Sequence, residues 1–187
     1  MSDEAPDKTD RIHDFIRAIG GHVKEEDRGA LAALRRSLTD EHGMAAQAAP
    51  YVVPYLPADS SNAARDRAFF LVGALYALHP AHVRGKSLAQ SYRELCLKRS
   101  PDGKITPAMQ ARFVALLDAH PEDVGEHVRH AVGLLKSQEI SIDYEKLLRD
   151  LVRFDRPDRR VQRDWARDFW ASDSEQAPTP SPKEVSP

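Results

Sequence analysis

Apolar residues recur along almost the whole chain with a helical period. Ile12, Phe15, Ile16 and Ile19 stand at i, i+3, i+4 and i+7, the spacing that lines one face of an α-helix. The stripe stops at Gly20-Gly21, and glycine favours helix ends over interiors, so a first helix is expected to end there. Leu31, Leu34 and Leu38 predict a second helix with its charges on the other side. Residues 40–62 are punctuated by Pro50, Pro54 and Pro57, and "PADSSN" reads as a loop. The stretch "FFLVGALYAL" (69–78) is apolar all round. Its length is about half of what a membrane span needs, so it is expected to be a buried helix ending near His79-Pro80. Another helix carries Leu88, Tyr92, Leu95 and Cys96, and "SPDGK" (100–104) is turn chemistry.

Helix starts are well marked in the second half. Thr106-Pro107 offers an N-cap followed by proline at the first helical position, where the missing N–H costs nothing. Pro121-Glu122-Asp123 places acids against the positive end of the next helix dipole. Asp143, between Ile142 and Leu147, has the spacing of an N-cap with a hydrophobic staple. Asp155 and Pro157 are expected to open the last helix. No alternating strand pattern competes. The chain is therefore expected to be all-α, with about seven to nine helices. A flexible acidic N-terminus (1–9) and a disordered, proline-rich tail (171–187) would flank them.

Composition adds little to that picture but removes several classes. A chain that is 41% hydrophobic and 30% charged is an ordinary globular one. Its one cysteine, Cys96, excludes an internal disulfide framework and a thiolate zinc cluster. The polar, acidic start "MSDEAPDKTD" is unlike a secretory signal, so the expectation is the cytoplasm and no membrane. The net charge of −2 conceals an asymmetry: residues 84–170 carry 17 basic and 14 acidic side chains, and residues 146–167 carry 8 and 4. Local sign matters more than the total where a surface meets a polyanion.

Candidate catalytic chemistry is thin. His127 and His130 stand at i, i+3 beside Glu126, and His79 and His82 flank a proline, but no "HExxH" spacing or third-ligand motif accompanies them. Cys96 lies on an apolar stripe, which reads as a core residue. No phosphate loop, dinucleotide fingerprint or nucleophile elbow is present. The expectation is a protein without catalytic activity, metal or cofactor.

The arginines carry more pattern. In "RRVQRDWARDFW" (159–170), Val161, Trp165 and Phe169 fall within an arc of about 80° on a helix. Arg160, Arg163 and Arg167 form a second stripe roughly opposite, with Trp170 on their side and Asp164 and Asp168 between. In "DRGALAALRRSL" (27–38), Arg28, Arg35 and Arg36 stand outside the leucine stripe. Arg129 and Lys136 share the polar side of a helix built on Val124, Val128, Ala131 and Leu135. Guanidinium makes bidentate bonds to phosphate and keeps its charge at any physiological pH. Read from composition alone, the same residues are better taken as a solvated face with weak i, i+3 pairs such as Asp164–Arg167.

Four segments, in order, resemble CasB, the small-subunit family of the type I-E CRISPR surveillance complex, Cascade. They are residues 27–38, "ARFVALLDAHPEDV" (111–124), "LLKSQEISIDYEKLLRDL" (134–151) and residues 159–170. The resemblance spans roughly residues 10 to 170, with 40–67 matching nothing in the family pattern. It implies an all-helical, non-catalytic protein of two packed helical bundles, here residues 10–100 and 101–170, present as two copies within the complex. Such a subunit bridges its neighbours and helps hold the guide RNA–target DNA heteroduplex and the displaced strand through sequence-blind basic contacts. Its basic positions fall on Arg35, Arg36, Arg112, Arg129, Arg159 and Arg160. Arg28, Arg99, Lys136, Arg163 and Arg167 join them on geometry alone. Where relatives are often rich in tryptophan, before the last helix, this chain has "VRFDRPD", with Phe154 as its one aromatic. The alternative to a nucleic-acid-binding subunit is a helical scaffold or adaptor whose arginines meet acidic protein surfaces.

Overall fold

The structure, a computed structural model, describes residues 8–58 and 62–171. The acidic segment 1–7 and the tail beyond Ala171 lie outside the described residues. Those described form nine α-helices: α1 (Lys8–Lys24), α2 (Arg28–Arg35), α3 (Ala49–Val52), α4 (Ala63–Leu78), α5 (Leu88–Arg99), α6 (Pro107–Asp118), α7 (Val124–Lys136), α8 (Tyr144–Leu151) and α9 (Arg160–Trp170). The protein is all-α, and its only strand-like pairing among these residues is one parallel bridge between His82 and Ile142.

Capping chemistry sets most of the helix starts. Asp27, Asn62, Ser87, Thr106 and Asp143 each accept a hydrogen bond from a backbone N–H in the first turn of the helix that follows. Ser87 and Gln90 complete a reciprocal capping box. The Ala30 N–H at 3.0 Å, with His22 close by, holds the Asp27 carboxyl below the usual carboxylate range. Residues 46–55, within the proline-punctuated stretch, form short helical turns around α3, with Pro50 and Pro54 in first-turn positions where no N–H is missed.

Two boundaries differ from the sequence expectation. α1 runs through Gly20-Gly21 to Lys24. A Cβ on Gly20 would lie 3.1 Å from the Tyr76 hydroxyl, so the glycine there serves the close approach of α4. The last helix begins at Arg160, beyond Asp155 and Pro157. Arg159 adopts a left-handed backbone (φ 47°) that no helix can run through, and Asp158 accepts from the Arg160 N–H at 3.1 Å.

One buried cluster runs from Ile12 to Phe169. α4 lies at its centre, contacting α1, α2, α7 and α8, which explains why residues 68–70 and 72–77 are buried on every side. α5 packs on α7 and α9, while α8 packs on α1 and α4, so neighbours in space come from both sides of position 100. The 79–87 loop is laced to residues 140–145. His79 Nε2 donates to the Ile140 carbonyl at 2.7 Å, and the Tyr144 hydroxyl donates to the His79 carbonyl at 2.6 Å. Glu145, 7% exposed, takes His13 at 2.9 Å, Arg149 at 2.9 Å and Arg84 at 3.5 Å, tying α1 and the loop to α8.

Cys96 is a core residue, as its stripe suggested, and burial pushes its thiol up to about 11. A thiolate is the reactive form. Native protein should therefore leave an aromatic disulfide reagent unreacted at about pH 8, with one thiol appearing on unfolding; rapid native reaction would contradict this burial.

α9 is held from three directions. Trp165 Nε1 donates to Asp150 at 2.8 Å, Gln162 Nε2 donates to the Phe154 carbonyl at 2.9 Å, and Ser87 Oγ donates to Asp168 at 2.5 Å. Burial raises the Asp150 pKa, with the Trp165 and Lys146 bonds opposing it. A raised native pKa means the folded state binds more protons between the unfolded and folded values. Stability is then lost as pH rises through that window. Asp150→Asn, which keeps an acceptor for Trp165, should match or exceed the parent in urea at pH 7, the difference vanishing below about pH 4. A large loss at pH 7 would mean that the charge itself stabilises the fold.

Candidate nucleic-acid interface

The eleven cations named from sequence divide by what their heads already hold. Arg159 reaches across to the C-terminal end of α6, donating to the Leu117 carbonyl at 2.8 Å and to Asp118 at 3.3 Å. Arg129 donates to the Leu38 carbonyl, joining α7 to the chain just beyond α2. Arg35 spends its Nε on the Leu31 carbonyl one turn back, at 3.0 Å, and its terminal nitrogens have no partner among the described residues. Arg112 lies 3.9 Å from the Met109 sulfur, a weak contact. Arg160 and Arg167 share Asp164 at 3.7 and 3.5 Å, pairs exposed enough to contribute little. Arg28, Arg36, Arg99, Lys136 and Arg163 are exposed, and their side chains make no hydrogen bond or ion pair among the described residues.

The outer side of α9 is the most one-sided of these surfaces. Val161, Gln162, Trp165 and Phe169 are buried, Asp164, Ala166 and Asp168 are half-buried, and the exposed residues are Arg160, Arg163, Arg167 and Trp170. The apolar seam fixes this outcome. With 3.6 residues per turn, burying Trp165 and Phe169 forces positions 160, 163, 167 and 170 outward. Asp168, two residues before Trp170, is turned inward onto Ser87.

Trp170 is 45% exposed. It meets Phe113 at 5.8 Å and Phe169 at 4.8 Å between ring centroids, both steeply edge to face. Phe113 stacks on Phe169 at 4.0 Å and on Tyr92 at 5.5 Å. Arg112 and Arg99 lie near enough to Tyr92 to oppose the burial that raises its pKa to about 12. These contacts bring α5, α6 and α9 together beside the exposed indole.

Sequence reasoning left out other free cations. Arg153 and Arg156, in the turns between α8 and α9, are exposed with no side-chain partner among the described residues. They lie within the basic 146–167 stretch, and their charge was the available signal. Phe154 is 2% exposed and packs on Trp165 at 5.8 Å, so it belongs to the core. A cleft of about 470 Å³ opens between the 40–44 loop and the starts of α4 and α7. Asp40, Glu41, Glu122, Glu126 and Asp155 outnumber Arg65, Arg67 and Arg129 in its lining, a balance that repels a polyanion. Among the described residues no three His, Cys, Asp or Glu side chains are placed to hold a metal, and no helix is long and apolar enough to cross a membrane.

The architecture therefore defines an all-helical protein that offers cations and one aromatic ring on its outer faces. Residues 30–170 match the model of the family described as CRISPR-associated protein Cse2. The chain belongs to that family. It is 33% identical over 164 residues to the CRISPR-associated protein Cse2 of Thermus thermophilus, covering 87% of this chain and 90% of the relative. The crystal structure of CasB from Thermus thermophilus is similar at 33% identity with a TM-score of 0.73, over 88% of this chain and 98% of that one. A chain of a CRISPR RNA-guided surveillance complex is similar at 26% identity and a TM-score of 0.69, over 87% of this chain and 93% of that one. The CasB resemblance read from four segments is thus shown.

Proposed function

We propose that this protein is a non-catalytic, nucleic-acid-binding small subunit of a type I-E CRISPR surveillance complex. Two copies would sit with the other subunits and the guide RNA, stabilising the heteroduplex with target DNA and the displaced strand in the cytoplasm. Base pairing would read sequence while this subunit supplies phosphate contacts. The observation that carries the reading is the outer side of α9, where three arginines and a tryptophan are the helix's only exposed side chains. Family membership and likeness to a surveillance-complex chain support the assembly.

The scaffold reading draws on Arg129 and Arg159, whose heads are already bound to protein carbonyls. Those two bonds are internal, however, and they leave the α9 stripe free. Co-expression with the remaining surveillance-complex subunits and a guide RNA, followed by mass measurement, tests the proposal. Incorporation at two copies per complex is expected; a complex that assembles and excludes this chain would overturn it.

A further inference from the structure

An exposed tryptophan at the end of an arginine stripe is more than a phosphate rail needs. Arg160, Arg163, Arg167 and Trp170 lie within about 80° of one another around the helix, along roughly 15 Å of its length. Trp170 is 45% exposed, yet its ring is held by Phe113 and Phe169. Both neighbours meet it edge to face, so among the described residues no aromatic ring lies flat on the indole. Phe113 and Phe169 are themselves fully buried and stacked at 4.0 Å, which gives the indole a rigid support. A ring fixed in place, open to flat stacking and flanked by cations is what an unpaired base requires.

We propose that the outer stripe of α9 binds single-stranded nucleic acid, with an unpaired base stacked on Trp170 and the adjoining phosphates on Arg167, Arg163 and Arg160. The proposal rests on the nucleic-acid reading given above and narrows it to strands with unpaired bases. A duplex keeps its bases stacked on one another and offers none to the indole. Charge decides between this occupant and an apolar protein surface. Arg167 stands one turn from Trp170, and Arg112 adjoins Phe113 in sequence. Asp168 is engaged by Ser87, while Asp164 lies between two arginines. A polyanion matches that surround, whereas an apolar partner would leave the guanidinium groups desolvated without counter-charge.

The experiment compares a short oligothymidylate with an abasic strand of the same length, each titrated with the full-length chain and followed by anisotropy of an end label. The base-bearing strand should bind wild-type protein about tenfold more tightly than the abasic one, the size expected for one base–aromatic stack. Trp170→Ala should erase that difference and leave abasic binding unchanged, and Trp170→Phe should keep most of it. In wild-type protein the indole emission should be quenched by the base-bearing strand alone; Trp165, fully buried, supplies a constant background. Equal binding of both strands to wild-type protein would overturn the stacking site and leave the phosphate rail standing. If neither strand binds at low salt, the nucleic-acid reading itself fails, and the stacking site with it. Protection of Trp170 by other subunits without nucleic acid, with strand binding unaffected by Trp170→Ala, would make the ring a protein contact and overturn the proposal.

Discussion

Reversing Arg163 and Arg167 to glutamate should weaken binding of single-stranded DNA on the order of a hundredfold at about 0.1 M salt, with the fold intact. Both side chains are exposed; Arg163 has no partner among the described residues, and Arg167 has only a solvent-screened pair with Asp164. Their removal therefore breaks no internal bond of consequence. Each lost phosphate contact should also flatten the salt dependence. For a single strand the slope of log K against log salt changes by roughly 0.7 per contact, so two contacts give about 1.4. Arg159 makes a poorer probe. Its guanidinium closes the end of α6, so reversal there would mix lost binding with a loosened α6–α9 junction. An unchanged affinity and an unchanged slope in the Arg163/Arg167 double variant would remove α9 from the interface.

Trp165→Ala should cost about 3–5 kcal/mol of stability, the range for truncating a buried large aromatic. Trp165 is fully buried, packs on Phe154, and its Nε1–H bonds Asp150. Alanine leaves a cavity and also a half-buried carboxylate with the Lys146 bond as its remaining side-chain contact. That cost is a large part of the roughly 5–15 kcal/mol typical of a domain. A urea titration should show a lower midpoint at a similar slope, the mark of lost stability rather than a changed denatured state. Trp165→Phe separates the two parts, since it restores most of the volume but not the bond. If alanine at 165 moved the midpoint hardly at all, α9 would not be anchored through this ring, and the outward display of its arginines would lose its physical basis.

The faces of the helices are legible in the amino-acid sequence because a helical period is a purely local pattern. Val161, Trp165 and Phe169 inside, Arg160, Arg163 and Arg167 outside, follow from spacing alone. Caps are legible for the same reason, as at Thr106 and Asp143. What sequence hides depends on partners far along the chain. Gly20 looks like a stop signal, yet its task is set by Tyr76 on α4. Arg129 and Arg159 look like two more surface cations, but their acceptors are backbone carbonyls 91 and 42 residues away. A carbonyl carries no side-chain signature, so no reading of residue types could find those bonds. The helical wheel puts Trp170 on the arginine side, but the support beneath it comes from Phe113 on α6, which no local pattern reveals.

The role proposed for this protein is to hold opened target DNA through its exposed cations. It is tested most directly by R-loop formation in a reconstituted surveillance complex carrying Arg36→Glu, Arg163→Glu and Arg167→Glu in this subunit. Assembly and stoichiometry should be normal, with target opening slowed and more sensitive to salt than in the parent complex. R-loops formed at the parent rate and with the parent salt dependence would contradict that role.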